Sequence, residues 1–156
     1  MIENQFKENE GLMEFDLDIS AELTNLPAIR EFIQNIASQA CNYDQFSHDL
    51  VLAVDELATN IILHGYQGRE GTIAIHVEVN SSKIQIVLTD DADAFDPTMA
   101  EDPDIHRPLE ERKIGGLGIF MAKILTDEMI YRPLPEGGNE LRIVKHCPKF
   151  VLDSMG

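Results

Sequence analysis

Glu56, Asn60 and His64 recur at every fourth position of an otherwise apolar stretch, Asp-Glu-Leu-Ala-Thr-Asn-Ile-Ile-Leu-His-Gly-Tyr, over residues 55–66. Four residues along an α-helix carry a side chain about 40° past a full turn, so the Glu56 carboxylate and the Asn60 amide project from one face within reach of a common ligand. Such a pair suits a hydrated magnesium ion beside a proton that must be removed: Mg2+ takes oxygen ligands and keeps several waters, and a carboxylate can act as base. Taken alone, the same pair fits an ordinary solvated helix face at least as well. Two further clusters lie downstream. A strand pattern, Ile84, Ile86 and Leu88, runs into Thr89-Asp90-Asp91-Ala92-Asp93-Ala94-Phe95-Asp96-Pro97, and later Gly115-Gly116-Leu117-Gly118-Ile119-Phe120 opens a helical pattern. Glycines at a helix start expose backbone N–H groups whose partial positive charge favours phosphate. Each cluster also has a plain structural reading, as an acidic turn and as a tight loop.

The three motifs in this order are far more specific than any one of them. With Glu56, Asn60 and His64-Gly65-Tyr66, then Asp90 through Pro97, then Gly115 through Ile119, the chain resembles the ATP-binding domain of the GHKL superfamily over residues 13–146. It is most similar to the bacterial anti-sigma regulatory factors that are serine/threonine protein kinases. The resemblance implies the Bergerat fold, with ATP and Mg2+ as ligands. It implies that Glu56 orients or deprotonates the substrate hydroxyl, that Asn60 holds magnesium, and that Asp90 accepts a hydrogen bond from the adenine amine. Ala94, Gly115, Gly116, Leu117, Gly118 and Ile119 would complete the nucleotide contacts. Where the family pattern has glycine in its first glycine box, this chain has Ala92. That substitution matters if the position needs a positive φ or a close approach to the base. The resemblance also implies a sigma factor that is sequestered, an anti-anti-sigma protein of the STAS class that is phosphorylated, and a homodimer.

Residues 98–114 form a longer connection than most, which fits the family's ATP lid. Arg112 and Lys113, with Arg107 a weaker candidate, could approach the phosphates from it. His64 is spaced two turns from Glu56, but a histidine at a helix C-terminus is favoured by the dipole alone, and Gly65 reads as the left-handed residue that stops the helix.

The elements that must position these residues follow from periodicity. Residues 1–11 read as a polar tail, 12–147 as one domain and 148–156 as a second tail. Met13, Phe15, Leu17 and Ile19 alternate as a strand; Asn25-Leu26-Pro27 caps a helix with the stripe Ile29, Phe32, Ile33 and Ile36; a second helix runs from Gln45 to Leu63 with Leu50, Val54, Leu57 and Ile61 inward. Ile73 to Val79 and Lys83 to Thr89 make a hairpin, Gly116 to Thr126 a third helix, and Met129 to Leu134 and Leu141 to Lys145 two strands joined at Pro135-Glu136-Gly137-Gly138-Asn139. Hairpins interspersed with helices give a two-layer α/β sandwich, a mixed and mostly antiparallel sheet packed on helices.

The chain's 156 residues suffice for one core, and its net charge of −16 opposes binding to nucleic acid or to an anionic membrane. Its two cysteines, Cys41 and Cys147, lie far apart with no metal-ligand spacing, so both are expected as ordinary thiols in a reducing cytoplasm. No leader or membrane span is read in the sequence. Two other functions fit the fold. One is a non-catalytic, nucleotide-responsive regulator that acts through its surface, for which Ala92 is the sequence support; the other is an ATP-hydrolysing or histidine-phosphorylating enzyme, which lacks its phosphoacceptor domain here. Retention of both Glu56 and Asn60 favours the kinase, because a pure binder needs no base.

Overall fold

The structure, a computed structural model, describes residues 2–6, 11–99 and 116–148, the first of these as backbone. Six strands form one sheet in the order β1-β2-β3-β4-β6-β5: β1 Ile2–Phe6, β2 Met13–Ser20, β3 Thr72–Val79, β4 Lys83–Asp90, β5 Glu128–Pro133 and β6 Asn139–His146. Every pairing is antiparallel, so the parallel component of the expected mixed sheet does not occur among the described residues. Three helices, α1 Leu26–Ala40, α2 Asp44–Asn60 and α3 Gly116–Leu125, supply the second layer.

Alternation decides which sheet face the helices cover. In β3 and β4 every second residue is buried: Ile73, Ile75, Val77 and Val79, then Ile84, Ile86, Leu88 and Asp90. Against them pack Ile29, Phe32, Ile33 and Ile36 of α1 and Phe46, Leu50, Val54 and Leu57 of α2. Each such side chain, fully buried, contributes about 1.5–3 kcal/mol, so the core fixes the orientation of α2 and with it the Glu56 and Asn60 face. Arg30 adds a 2.8 Å ion pair to Asp55 between the two helices.

The local signals act partly as expected. Asn80 makes the β3–β4 turn by accepting from the backbone N–H groups of Ser82 and Lys83 at 2.8 and 2.9 Å. The β5–β6 connection turns on Gly137 and Gly138, both at positive φ, with Leu134 N–H donating to the Gly138 carbonyl. Asn25 stands at the α1 N-cap position, yet its amide donates to the Ser20 carbonyl at 2.9 Å and caps nothing.

Three expectations are corrected. Residues 2–6, read as tail, form β1, an edge strand registered against β2 from Ile2↔Leu17 to Phe6↔Met13. Gly65 does not end the second helix in a left-handed conformation; α2 continues as a π-helical turn over Ile61–Tyr66, and Gln67 (φ 53°) and Gly68 (φ 83°) take the left-handed positions. Cys41 and Cys147 are not free thiols but a disulfide, joining the residue after α1 to the residue after β6 with their Cα atoms 6.0 Å apart. Tertiary packing brought together two cysteines 106 residues apart, which no local spacing could reveal. Among the described residues no helix is long and apolar enough to cross a membrane.

Candidate functional site

A pocket of about 390 Å3, counting the space open to solvent, lies between the end of α2 and the inner face of the sheet. Leu57, Asn60, Ile61 and Gly65 line it from the helix side, Asp90, Ala92, Asp93, Phe95 and Pro97 from the segment after β4, and Tyr131, Asn139 and Leu141 from β5 and β6. The walls are mainly apolar with a few convergent polar groups, the composition of a small-molecule site.

Asp90 is the polar centre. It ends β4 on the buried side, with only 5 % of its surface exposed, and its Oδ1 accepts from the Ala92 N–H and from the Asn139 amide, both at 2.9 Å. Burial pushes its pKa up; the Asn139 and Ala92 hydrogen bonds oppose that rise, and the neighbouring Asp91 charge adds to it.

Asn139 organises everything around this carboxylate. Its amide nitrogen also donates to the Asp93 carbonyl at 3.1 Å, while its Oδ1 accepts from the Phe95 N–H at 3.0 Å and from the Tyr131 hydroxyl at 2.6 Å. The acidic turn is thereby held open against the pocket. Tyr66 braces its other side, donating to the Thr72 carbonyl at 2.6 Å and accepting from the Asp91 N–H at 2.8 Å. Sequence reasoning missed both roles. Asn139 read as a turn residue and Tyr66 as part of a helix end; the only signal was a polar side chain set beside strongly apolar positions.

Ala92 answers the question raised by its glycine counterpart. The described non-glycine residues with positive φ comprise Gln67 alone, so Ala92 sits in ordinary backbone. Its methyl is buried against Gly65, where an added β-carbon would come within 3.0 Å of the Ala92 β-carbon. A side chain at Gly65 would push the two segments apart by a few tenths of an ångström.

Glu56 and Gly118 meet across the α2–α3 contact: a β-carbon on Gly118 would overlap Glu56 Oε2. Glycine at this position lets the carboxylate keep its place, and a side chain there would displace it. Glu56 and Asn60 are both half-buried on α2, and Gly116 is the first residue of α3, whose opening turn presents N–H groups. Ile119 is buried in packing, whereas Leu117 is 46 % exposed. Ala94 is exposed and does not line the pocket, and His64 is exposed. Arg107, Arg112, Lys113 and Gly115 lie outside the described residues. At the edges of that segment, Lys123 of α3 donates to the Thr98 carbonyl at 3.0 Å.

Comparison with known proteins adds a lineage to this geometry. The family model of the histidine kinase-like ATPase domain matches residues 19–145. The serine-protein kinase RsbW of Staphylococcus aureus strain RF122 / ET3-1 is 31% identical over 148 residues, covering 90% of this chain and 89% of that protein. RsbW of strain JH9 matches with the same identity and coverage. Among solved structures, the histidine kinase domain from the Erythrobacter litoralis EL346 blue-light activated histidine kinase aligns with a TM-score of 0.48 at 18% identity, over 78% of this chain and 59% of that one.

Proposed function

The chain belongs to the histidine kinase-like ATPase family, and on that premise we propose that it is an ATP-dependent serine/threonine protein kinase of the anti-sigma type. Its substrate would be a serine or threonine hydroxyl on a STAS-class anti-anti-sigma protein, and its other partner a sigma factor that it sequesters. The observation that supports the reading is the close approach of Glu56 to Gly118, which brings a candidate base to the first turn of α3.

Phosphoryl transfer depends chiefly on positioning and charge neutralisation. Asp90, ionised, accepts from the adenine amine, while Ile61, Phe95 and Leu141 offer apolar walls to the ring. The N–H groups from Gly116 to Gly118 hold phosphate oxygens, aided by Arg112 and Lys113. Asn60, an oxygen donor in the pocket lining, fits a magnesium ligand; the bound ion supplies neutralisation of the phosphate charge. Glu56 takes the proton of the attacking hydroxyl. The hydroxyl oxygen forms its bond to the γ-phosphorus as the bond from that phosphorus to the bridging oxygen breaks, and ADP leaves. The acidic surface, net −16, favours basic or neutral protein partners over nucleic acid. A homodimer and a cytoplasmic location accompany this reading, the Cys41–Cys147 disulfide being unusual for a reducing compartment.

Glu56→Gln tests it. The amide keeps the side chain's shape against Gly118, so ATP affinity should stay within a few-fold of the wild type while transfer of the γ-phosphoryl group to a STAS protein falls by about 100-fold or more. Undiminished transfer would take Glu56 out of the mechanism.

A further inference from the structure

On the sheet face turned away from the helices, His76 in the middle of β3 is ringed by three carboxylates. The register pairs Asp16 with His76 and Glu14 with Glu78 across β2 and β3, which puts all four side chains on one face of two neighbouring strands. His76 Nδ1 lies 2.6 Å from Asp16 Oδ1. An ionised carboxylate only accepts, so Nδ1 donates to Asp16, and Nε2, facing the other two acids, gives up any proton it shares with them when it binds a metal. Nε2 stands 3.3 Å from Glu78 Oε1 and 3.7 Å from Glu14 Oε1, and the three ligand atoms all lie within 4.8 Å of one another.

The two separations from Nε2, 3.3 and 3.7 Å, are close to the edges of a coordination shell. A four-coordinate zinc ion with bonds of about 2.0–2.2 Å separates its ligand atoms by roughly 3.4 Å. The surroundings match as well. A metal-bound histidine characteristically donates its second N–H to a carboxylate, as His76 does to Asp16. Gln85, on β4, donates to Glu78 Oε2 at 3.3 Å, which orients the remaining oxygen, Oε1, toward His76.

We propose that Glu14, His76 and Glu78 form a binding site for one divalent transition ion, of which Zn2+ suits the donors, with water completing the shell. Asp16 and Gln85 are positioning residues. One imidazole nitrogen with two carboxylates selects a borderline ion over Mg2+, which prefers oxygen throughout. The site is separate from the nucleotide pocket, which opens on the helix side of the sheet. An ion held there crosslinks β2 to β3.

Titration calorimetry of Zn2+ into the full chain, with Mg2+ in excess, tests the site alongside His76→Gln, Glu78→Gln and Asp16→Asn, each checked for folding by circular dichroism. The expected result is one Zn2+ per chain, held at least tenfold more weakly by His76→Gln and Glu78→Gln and about 10–100-fold more weakly by Asp16→Asn. Co2+ used as a spectroscopic probe should show d–d bands that shift in Asp16→Asn, a signature that a purely structural aspartate would not alter. The proposal is overturned if no zinc binds, if Mg2+ displaces it, or if the histidine variant binds it as well as the wild type does. Should His76→Gln fail to fold, Glu78→Gln and Asp16→Asn carry the same comparison.

Discussion

Asp90 is pulled in two directions. The fold would hold it more easily as a neutral group, since burial raises its pKa, whereas an adenine amine is best met by the carboxylate. The linkage has a definite sign. Above the ordinary value of 3.8 the unfolded chain has lost this proton while the native state still holds it, so the native state binds more protons and stability falls as pH rises from 3.8 through the raised native pKa. Asp90→Asn keeps an oxygen for the Ala92 N–H and the Asn139 amide, and it removes the buried charge. It should therefore match or exceed wild-type stability at neutral pH and lose that segment of pH dependence, as urea titrations at several pH values would show. ATP affinity should fall by about 1.5–3 kcal/mol, roughly 10- to 100-fold, the worth of a hydrogen bond to a charged group; wild-type affinity in calorimetry would remove Asp90 from adenine recognition. Asn139→Ala removes one of the two hydrogen bonds to Asp90 Oδ1 and the side-chain acceptor of the part-buried Phe95 N–H, with an expected total cost of about 1–3 kcal/mol. A variant that unfolds at the wild-type urea midpoint would show that water replaces the amide without loss.

The end of α2 shows how much an element's fate depends on what it meets. The periodic stripe, from Leu50 to Leu57, was legible in the sequence, and so was the Glu56 and Asn60 face, because 3.6-residue spacing is a local property. The exit was not. Glycine near a helix end reads as a left-handed stop, but here Gly65 lies inside a π-helical turn, with Ala92 of the segment after β4 packed against it. Such turns often mark functional sites. Gly65→Ala forces two β-carbons to 3.0 Å, overpacking that typically costs about 1–3 kcal/mol. Adding Ala92→Gly to it should restore most of the loss, and the single change Ala92→Gly should leave ATP affinity within a few-fold. Failure of the double variant to recover in thermal melts would mean that the 61–66 turn, rather than the Ala92 contact, excludes a side chain. β1 escaped sequence reading for a different reason. An edge strand is held by backbone bonds to one neighbour, and Glu3-Asn4-Gln5 lacks the alternation that would reveal it. Asn139 and Tyr66 were hidden because their partners lie 49 and 25 residues away.

For the molecule as a whole, the sandwich of helices on an antiparallel sheet was legible because nearly every element carries its own periodicity, and the connection between distant cysteines was not. The Cys41–Cys147 disulfide closes a long loop over most of the domain. The chain-entropy account gives about 4.7 kcal/mol for a loop of that order, and disulfides typically deliver about 2–4 kcal/mol. Reduction by dithiothreitol, or Cys147→Ser, should lower the unfolding free energy by that amount, and identical urea midpoints with and without reductant would show that the bond contributes nothing in solution. The bridge also sets a topology. Glu56, Asn60, Asp90, Gly118 and Asn139 all lie between the two cysteines, so the entire proposed nucleotide site sits within one covalent ring. A protease that cuts once inside this ring, for example trypsin after Lys113, makes two polypeptides but still one molecule. The nicked protein would keep Glu56 and Gly118 tethered, run on a non-reducing gel as a single band, and part into two fragments only when reductant opens the ring.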